Sequence, residues 1–283
     1  MFLNVDSPIF QAAIAPFAVS CVLVGAIVVF VRGDRRSSMA VCFAAIALLV
    51  AYWLAFSWPP FPPRAATQKV GYLIGLSAVL SLALAARPRL YRLASTAVFL
   101  VVIAGLVWIA QSKIAQGQIL NVAVVVLIGV VAAFGLSVRR GEPVDNGVAV
   151  LVGAIVIAGI AFAAPSASLA LIGGAIAAAT GGFLVWTWPK RRLDFAEPGL
   201  LAVAVPLILL AGQASLYSGA NNIAILVAAA IAFAPSIRAA TLRGPSMDTD
   251  LLRPIATGVV AAIVGAVALA IAFMNQTGSS GYG

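Results

Sequence analysis

The sequence predicts an all-α polytopic membrane protein, a bundle of about ten transmembrane helices whose two termini are both extracytoplasmic. Of its 283 residues, 63% are hydrophobic and only 9% are charged, and the mean hydropathy is +1.13. Charged residues make up about 25% of a soluble domain, so we expect lipid rather than water to surround this chain. Apolar runs and short basic connections alternate along its length, and this predicts one integral membrane domain over residues 1–283.

Ten apolar runs approach or exceed the about 20 helical residues that cross a hydrocarbon core ~30 Å thick. The first extends from Ile9 to about Val31 with no basic residue before it, which favours a spanning helix over a cleavable signal peptide. Pro16 in the first run and Pro206 in the eighth predict helix kinks. The predicted spans are residues 9–31, 39–58, 70–86, 93–110, 119–138, 147–164, 168–186, 199–218, 222–238 and 254–274.

The positive charges fall almost entirely on one side of these spans. Only Arg64, Lys69 and Lys113, among the 17 lysines and arginines, lie in the connections after even-numbered spans. Short basic connections stay in the cytoplasm, so the side with the other arginines and lysines is predicted to be cytoplasmic. We therefore expect the bacterial inner membrane as the location. Asp145 and Arg238 are interpreted here as residues of the cytoplasmic connections.

Composition also limits the chemistry that the chain is expected to perform. The net charge of +9 and the pI of about 10.4 do not indicate a nucleic-acid partner, because the basic residues are dispersed over short connections. Histidine is absent, which removes the commonest metal ligand and the commonest general base. Cys21 and Cys42 lie inside apolar runs and are interpreted as core residues. We therefore expect no enzyme activity, no metal site and no cofactor.

Small residues recur at four-residue spacing in the second half of the chain, for example Gly174, Ala178 and Gly182 in the seventh span. Such a stripe lets two helix backbones approach closely. The pattern predicts tight packing within one bundle, and a homo-oligomer interface is the alternative.

The connection between the second and third spans contains the sequence WPPFPPR, residues 58–64. Its prolines cannot continue a helix and favour a stiff, extended backbone. Trp58 and Phe61 suit the headgroup zone of a membrane. The segment is predicted either to anchor two helices at the interface or to bind a ligand with little loss of entropy.

A candidate ligand site follows from the topology. Arg64, Lys69 and Lys113 would all lie outside the cytoplasm, where together they could bind an anion or a lipid phosphate. Gln213 and Tyr217 share one face near the same end of the eighth span. Because lipid cannot satisfy the Gln213 amide, we expect it to bond another helix, water or a ligand.

Three functions are compatible with these observations. The first is a permease or facilitator for a small neutral or anionic solute. The second is a non-catalytic subunit or assembly factor of a larger membrane complex, with a membrane-protein partner. The third is an outer-leaflet protein that binds lipid phosphate through the three basic residues.

Overall fold

The structure is a computed structural model that describes residues 7–31, 35–87, 91–137, 143–188, 193, 195, 197–241 and 252–279. Within these residues the secondary structure consists of helices and their connections, without a strand. The protein is an all-α polytopic membrane bundle. The helices are α1 Phe10–Phe30, α2 Arg35–Phe56, α3 Ala66–Ala86, α4 Tyr91–Ile109, α5 Gln111–Ala115, α6 Ile119–Ser137, α7 Pro143–Ala163, α8 Ala167–Thr187, α9 Leu200–Tyr217, α10 Asn222–Thr241 and α11 Leu252–Ser279.

Among the described residues, nine of these helices are long and apolar enough to cross a membrane. The helix α4 contributes a shorter apolar stretch, Leu93–Ile109, and α5 is a single short helix after it. Nine of the ten predicted spans overlap one of these nine helices, and the fourth, residues 93–110, overlaps the shorter α4. The helices of the second, third and sixth spans begin about four residues before the predicted spans, at Arg35, Ala66 and Pro143. Proline suits the first turn of a helix, and Asp145 in that turn complements the helix dipole.

The helix α9 occupies the centre of the bundle. It packs against α2, α3, α4, α6, α7, α8 and α10, whereas α1 lies outside α2 and α8, and α11 lies outside α7 and α10. In its most apolar 18-residue stretch 89% of the residues are buried, against 28% in α1 and in α11. A helix that is apolar on all sides can be buried on all sides, and α9 is the helix that the fold uses in this way.

The predicted kinks coincide with irregular helical turns. A π-helical turn, Phe10–Ile14, precedes Pro16, and another, Leu200–Ala204, precedes Pro206. Proline has no N–H and crowds the carbonyl four residues before it, so a wider turn there relieves the clash. In α10 the irregular turn before Pro235 is instead a 3₁₀ segment, Ala230–Phe233, which is tighter than an α-helical turn.

The small-residue stripe of α8 packs against α1 within the bundle. A Cβ added at Gly182 would lie 2.8 Å from the backbone oxygen of Phe17, which only glycine avoids. Beside it, Ser20 Oγ donates a hydrogen bond to the carbonyl of Ala179 at 2.7 Å. Glycine at this position therefore lets the two backbones approach closely.

Candidate functional site

The bundle has two opposite ends. The proline-loop end is where residues 57–65 join α2 to α3, and the arginine-loop end is the opposite one, where α7 and α11 begin. Tyr72 Oη fixes the proline loop by donating to the carbonyl of Pro59 at 3.0 Å. Phe61 meets the Tyr72 ring edge-on at 6.3 Å between centroids. Trp58 and Phe61 are 72% and 86% exposed, so both rings project from this end of the bundle.

Arg64 belongs to the proline loop, and its side chain is exposed. Its backbone N–H donates to Gln68 Oε1 at 2.9 Å. Gln68 also accepts from the N–H of Ala65 at 3.1 Å, and so caps the start of α3. The convergence of Arg64 with Lys69 and Lys113 on one ligand stays a prediction.

Lys69 is buried in the first turns of α3, with only 9% of its surface exposed. Its ammonium donates to the carbonyl of Trp108 at 2.7 Å and to Gln111 Oε1 at 3.1 Å. It also lies 5.7 Å from the centroid of the Trp108 ring. The carbonyls in the last turn of α4 have no partner inside their own helix, and a cation there also complements the helix dipole.

Lys113 lies on the short helix α5, next to the residues that contact Lys69. Its ammonium is 5.5 Å from the centroid of the Tyr217 ring. Tyr217 Oη donates to the carbonyl of Ile109 at 2.8 Å and lies 2.7 Å from Ser112 Oγ. We call Lys69, Gln111, Ser112, Lys113 and Tyr217 the lysine cluster. The structure thus connects three predicted site residues, Lys69, Lys113 and Tyr217, through α5.

Gln213 lies one turn deeper than Tyr217 on the same face of α9. Leu209 lies a further turn down the same face and packs against Gly105 of α4. A Cβ added at Gly105 would lie only 2.8 Å from Leu209 Cδ2. Gln213 is therefore on the side of α9 that packs against α3 and α4. It is only 3% exposed, and its Oε1 accepts no hydrogen bond from any residue the structure describes.

An apolar cavity of about 60 Å³ lies on another side of α9, between α6, α7, α9 and α10. Ser215 carries the only polar side chain among its lining residues. Glycines and alanines supply much of the wall. Lining residues include Gly129, Ala132, Leu136, Ala149, Gly153, Ala211, Gly212, Ser215 and Ala228. The sequence analysis missed this cavity, since small residues indicate close packing as readily as open space.

Polar residues border the cavity at the proline-loop end. Ser215 Oγ and Asn222 Oδ1 are 2.5 Å apart, with the serine hydroxyl as donor. Asn222 Nδ2 donates in turn to Asn121 Oδ1 at 3.3 Å. We call Asn121, Ser215 and Asn222 the asparagine group. It joins the ends of α6, α9 and α10.

A charged cluster lies beyond the opposite end of the cavity. Asp145 Oδ2 accepts from Arg253 Nε at 2.9 Å and is 3.7 Å from a terminal guanidinium nitrogen of Arg238. Asp145 and Arg238 are 1% and 2% exposed, and Arg253 is 21% exposed. We call these three residues the arginine–aspartate cluster. The interpretation of Asp145 and Arg238 as connection residues was wrong, because both lie in helices and are buried between them.

Asn146 connects this cluster to the cavity. Its Nδ2 donates to the carbonyl of Leu136, a residue of the cavity wall, at 3.3 Å. Its Oδ1 is buried and accepts no hydrogen bond from the part of the chain that the structure describes. Asn146 therefore presents a buried acceptor between the cavity and the arginine–aspartate cluster.

Neither a metal nor a covalent site emerges from the described ranges. In these ranges no three His, Cys, Asp or Glu side chains come together in a way that could hold a metal ion. Cys21 and Cys42 are free, and Cys21 Sγ lies 3.5 Å from the carbonyl of Gly182. No protein-family model matches the chain, and no curated protein matches it. The cavity and the polar groups around it are therefore the features from which a function can be proposed.

Proposed function

We propose that the protein is a permease or facilitator, and that its solute crosses the membrane through the cavity between α6, α7, α9 and α10. The observation that carries the proposal is an apolar cavity between two polar groups. The asparagine group borders one end, and Asn146 with the arginine–aspartate cluster lies beyond the other. Binding sites between the helices of a bundle commonly combine an apolar wall with a few polar groups in this way.

The length of the cavity along α6 is compatible with a path along the membrane normal. On α6 the lining extends from Val125 to Leu136. Eleven residues of helix rise by about 16 Å, roughly half of a ~30 Å hydrocarbon core. At about 60 Å³ the cavity is smaller than a small organic solute, so rearrangement would have to widen it as well as open its two polar ends. The 3₁₀ segment Ala230–Phe233 of α10 lies against the cavity, where such a hinge would be useful.

The wall also narrows the class of solute. An ion in this cavity would lose its hydration and gain only one hydroxyl, that of Ser215, from the lining side chains. The chemistry of the wall suits a neutral amphipathic molecule better, with its apolar body between the helices once the cavity has widened and an uncharged polar group at the asparagine group. We therefore favour the neutral solute among the two predicted classes, and we expect no catalytic step.

The orientation is part of the proposal. Positive residues are concentrated at the arginine-loop end, which supports a cytoplasmic position for it in a bacterial inner membrane. The proline loop, the lysine cluster and both termini would then lie outside the cytoplasm. Substituted-cysteine labelling of Trp58→Cys in intact cells, in a variant lacking Cys21 and Cys42, tests this assignment.

The transport proposal predicts a position-specific block. Ala132→Leu adds three carbon atoms to the cavity wall, whereas Ala123→Leu adds the same atoms on the exposed side of the same helix. Proteoliposomes are mixed with butyl glucoside, methyl glucoside or potassium chloride, and solute entry is followed by light scattering. We expect butyl glucoside to enter at least threefold faster than into protein-free liposomes, and Ala132→Leu to remove most of that increase.

The control and the probes decide the outcome. Ala123→Leu should keep the wild-type rate, since its side chain faces lipid. Equal rates for Ala132→Leu and Ala123→Leu would place any transport outside the cavity. No acceleration of any probe would count against a facilitator, and faster entry of chloride than of the glucosides would contradict the neutral class.

A further inference from the structure

The lysine cluster lies on a different side of α9 from the cavity, and the transport path proposed above leaves it unused. We infer that Lys69 and Lys113 bind a phosphate-bearing anion at the proline-loop end of α3, α4 and α5. The phosphate belongs either to a membrane-lipid headgroup or to free inorganic phosphate. This inference does not depend on the proposed transport function.

The buried ammonium of Lys69 has no opposite charge beside it among the described residues. Lys69 is nine-tenths buried, yet its two hydrogen bonds go to neutral oxygens, the carbonyl of Trp108 and Oε1 of Gln111. Removing a cation from water is costly, and buried charges are normally paired with an opposite charge. Within the described ranges no carboxylate forms an ion pair with Lys69 or Lys113.

The sequence contains little counter-charge for this end of the bundle. All but one of the eight acidic residues lie in or next to the connections of the arginine-loop end. The exception is Asp6, which lies outside the described residues. The lysine cluster thus gathers two cations where the chain offers few anions, and a ligand can supply the missing negative charge.

The lysine cluster has N–H donors that no described residue uses. An ammonium has three N–H donors, and Lys69 uses two of them. Lys113 directs its ammonium towards the Tyr217 ring and donates no hydrogen bond to a described residue. The hydroxyl of Ser112 is already used, because Tyr217 Oη donates to Ile109 and therefore accepts from Ser112 Oγ. The remaining ammonium donors of the two lysines suit an oxyanion carrying one to two negative charges.

The aromatic residues in and beside the lysine cluster place it at the level of the lipid headgroups. Trp108 is partly buried in the last turns of α4, and Tyr217 is 38% exposed at the end of α9. Tryptophan and tyrosine at helix ends mark the level of the lipid headgroups. Basic residues between helices at this level are positioned to contact a lipid phosphate.

The experiment measures binding to the purified full-length protein after delipidation. Native mass spectrometry with phosphatidylglycerol and with zwitterionic phosphatidylcholine measures lipid binding, and thermal unfolding with 10 mM inorganic phosphate measures free-anion binding. The variants are Lys69→Met, which keeps the apolar stem, and Lys113→Gln. Arg64→Gln is the matched control, because it removes one exposed positive charge from the same end of the bundle.

We expect the anion to bind about tenfold more weakly to Lys69→Met and to Lys113→Gln, and within twofold of wild type to Arg64→Gln. Preference for phosphatidylglycerol that inorganic phosphate does not displace identifies a lipid headgroup. A rise in unfolding temperature with inorganic phosphate, lost in both lysine variants, identifies free phosphate.

The inference is overturned if neither ligand binds, or if binding is unchanged in both lysine variants. It is also overturned if Arg64→Gln weakens binding as much as they do, since the effect would then be net charge alone. Should Lys69→Met fail to fold, Lys113→Gln still decides, because Lys113 is partly exposed on a short helix.

Discussion

The two ends of the bundle each bury a cation, and they treat its charge differently. At the arginine-loop end Arg238 is 2% exposed and lies beside Asp145, which is itself 1% exposed and also accepts from Arg253. At the proline-loop end Lys69 is 9% exposed and donates to a carbonyl and to an amide oxygen. The first charge is balanced by a carboxylate of the same chain, whereas the second has only neutral acceptors among the described residues.

This difference separates a structural role from a binding role. A guanidinium and a carboxylate buried together stabilise the arrangement of the helices that carry them, here α7, α10 and α11. Removing one partner leaves the other as a buried charge, which is the costly outcome. An ammonium balanced only by dipoles is available to an anion from outside. The comparison therefore predicts a stabilising role for the arginine–aspartate cluster, and it is consistent with the binding role that we propose for the lysine cluster.

The largest effect is expected for Asp145→Asn, which keeps the shape of the side chain and removes its charge. Arg238 and Arg253 would then lose the Asp145 carboxylate, and losing one partner of a buried pair costs about 3–5 kcal/mol. We expect the unfolding temperature in detergent to fall by on the order of 10 °C. Arg64→Gln, an exposed charge at the other end, serves as control and should leave the temperature unchanged. A fall no larger than that of the control would remove the structural role of the cluster.

A smaller effect is expected for Arg253→Gln. Its guanidinium is 21% exposed, so water screens it and can replace part of its interaction with Asp145. We expect a loss of about 1 kcal/mol in the free energy of unfolding. The double variant with Asp145→Asn should lose less than the sum of the single variants, because both substitutions remove the same contact. Strict additivity would show that the two residues stabilise the bundle independently.

The smallest effect on stability is expected for Lys69→Met in delipidated protein without added anion. The substitution keeps the apolar stem and leaves no buried carboxylate behind, so the unfolding free energy should stay within about 1 kcal/mol of wild type. Thermal unfolding measures it directly. If Lys69→Met destabilised the protein as much as Asp145→Asn, the distinction between the two ends would fail.

The sequence analysis located the helices because apolar length is a local property. It also singled out Lys69, Lys113 and Tyr217, which the structure connects through α5. It grouped Arg64 with them from topology, which gives the side of the membrane and not the direction of a side chain, so the place of Arg64 in this group stays a prediction. The contact between Asp145 and Arg253 was missed, since these residues are 108 positions apart and each follows a basic connection.

The cavity was missed for a different reason. Glycine and alanine in α6, α9 and α10 let helices approach closely, and at other contacts they leave space. In α8 the close approach is seen, with the backbone of Phe17 against Gly182. Around Ala132 and Ala149 small residues border open volume instead. Only the mutual placement of four helices distinguishes these outcomes.

The amino-acid sequence alone is enough to show that lipid surrounds this chain, because long apolar runs without charges suit a hydrocarbon environment. Which helix lies at the centre is visible only in the folded arrangement of the helices. The central helix α9 has a mean hydropathy of 2.0, lower than the 2.8 of α6, although 89% of its span is buried against 44%. In a bilayer both the lipid and the protein interior are apolar, so hydropathy does not separate an inner face from an outer one. Packing between helices and the few polar contacts place α9 at the centre. They also create the cavity and the charged clusters at the two ends.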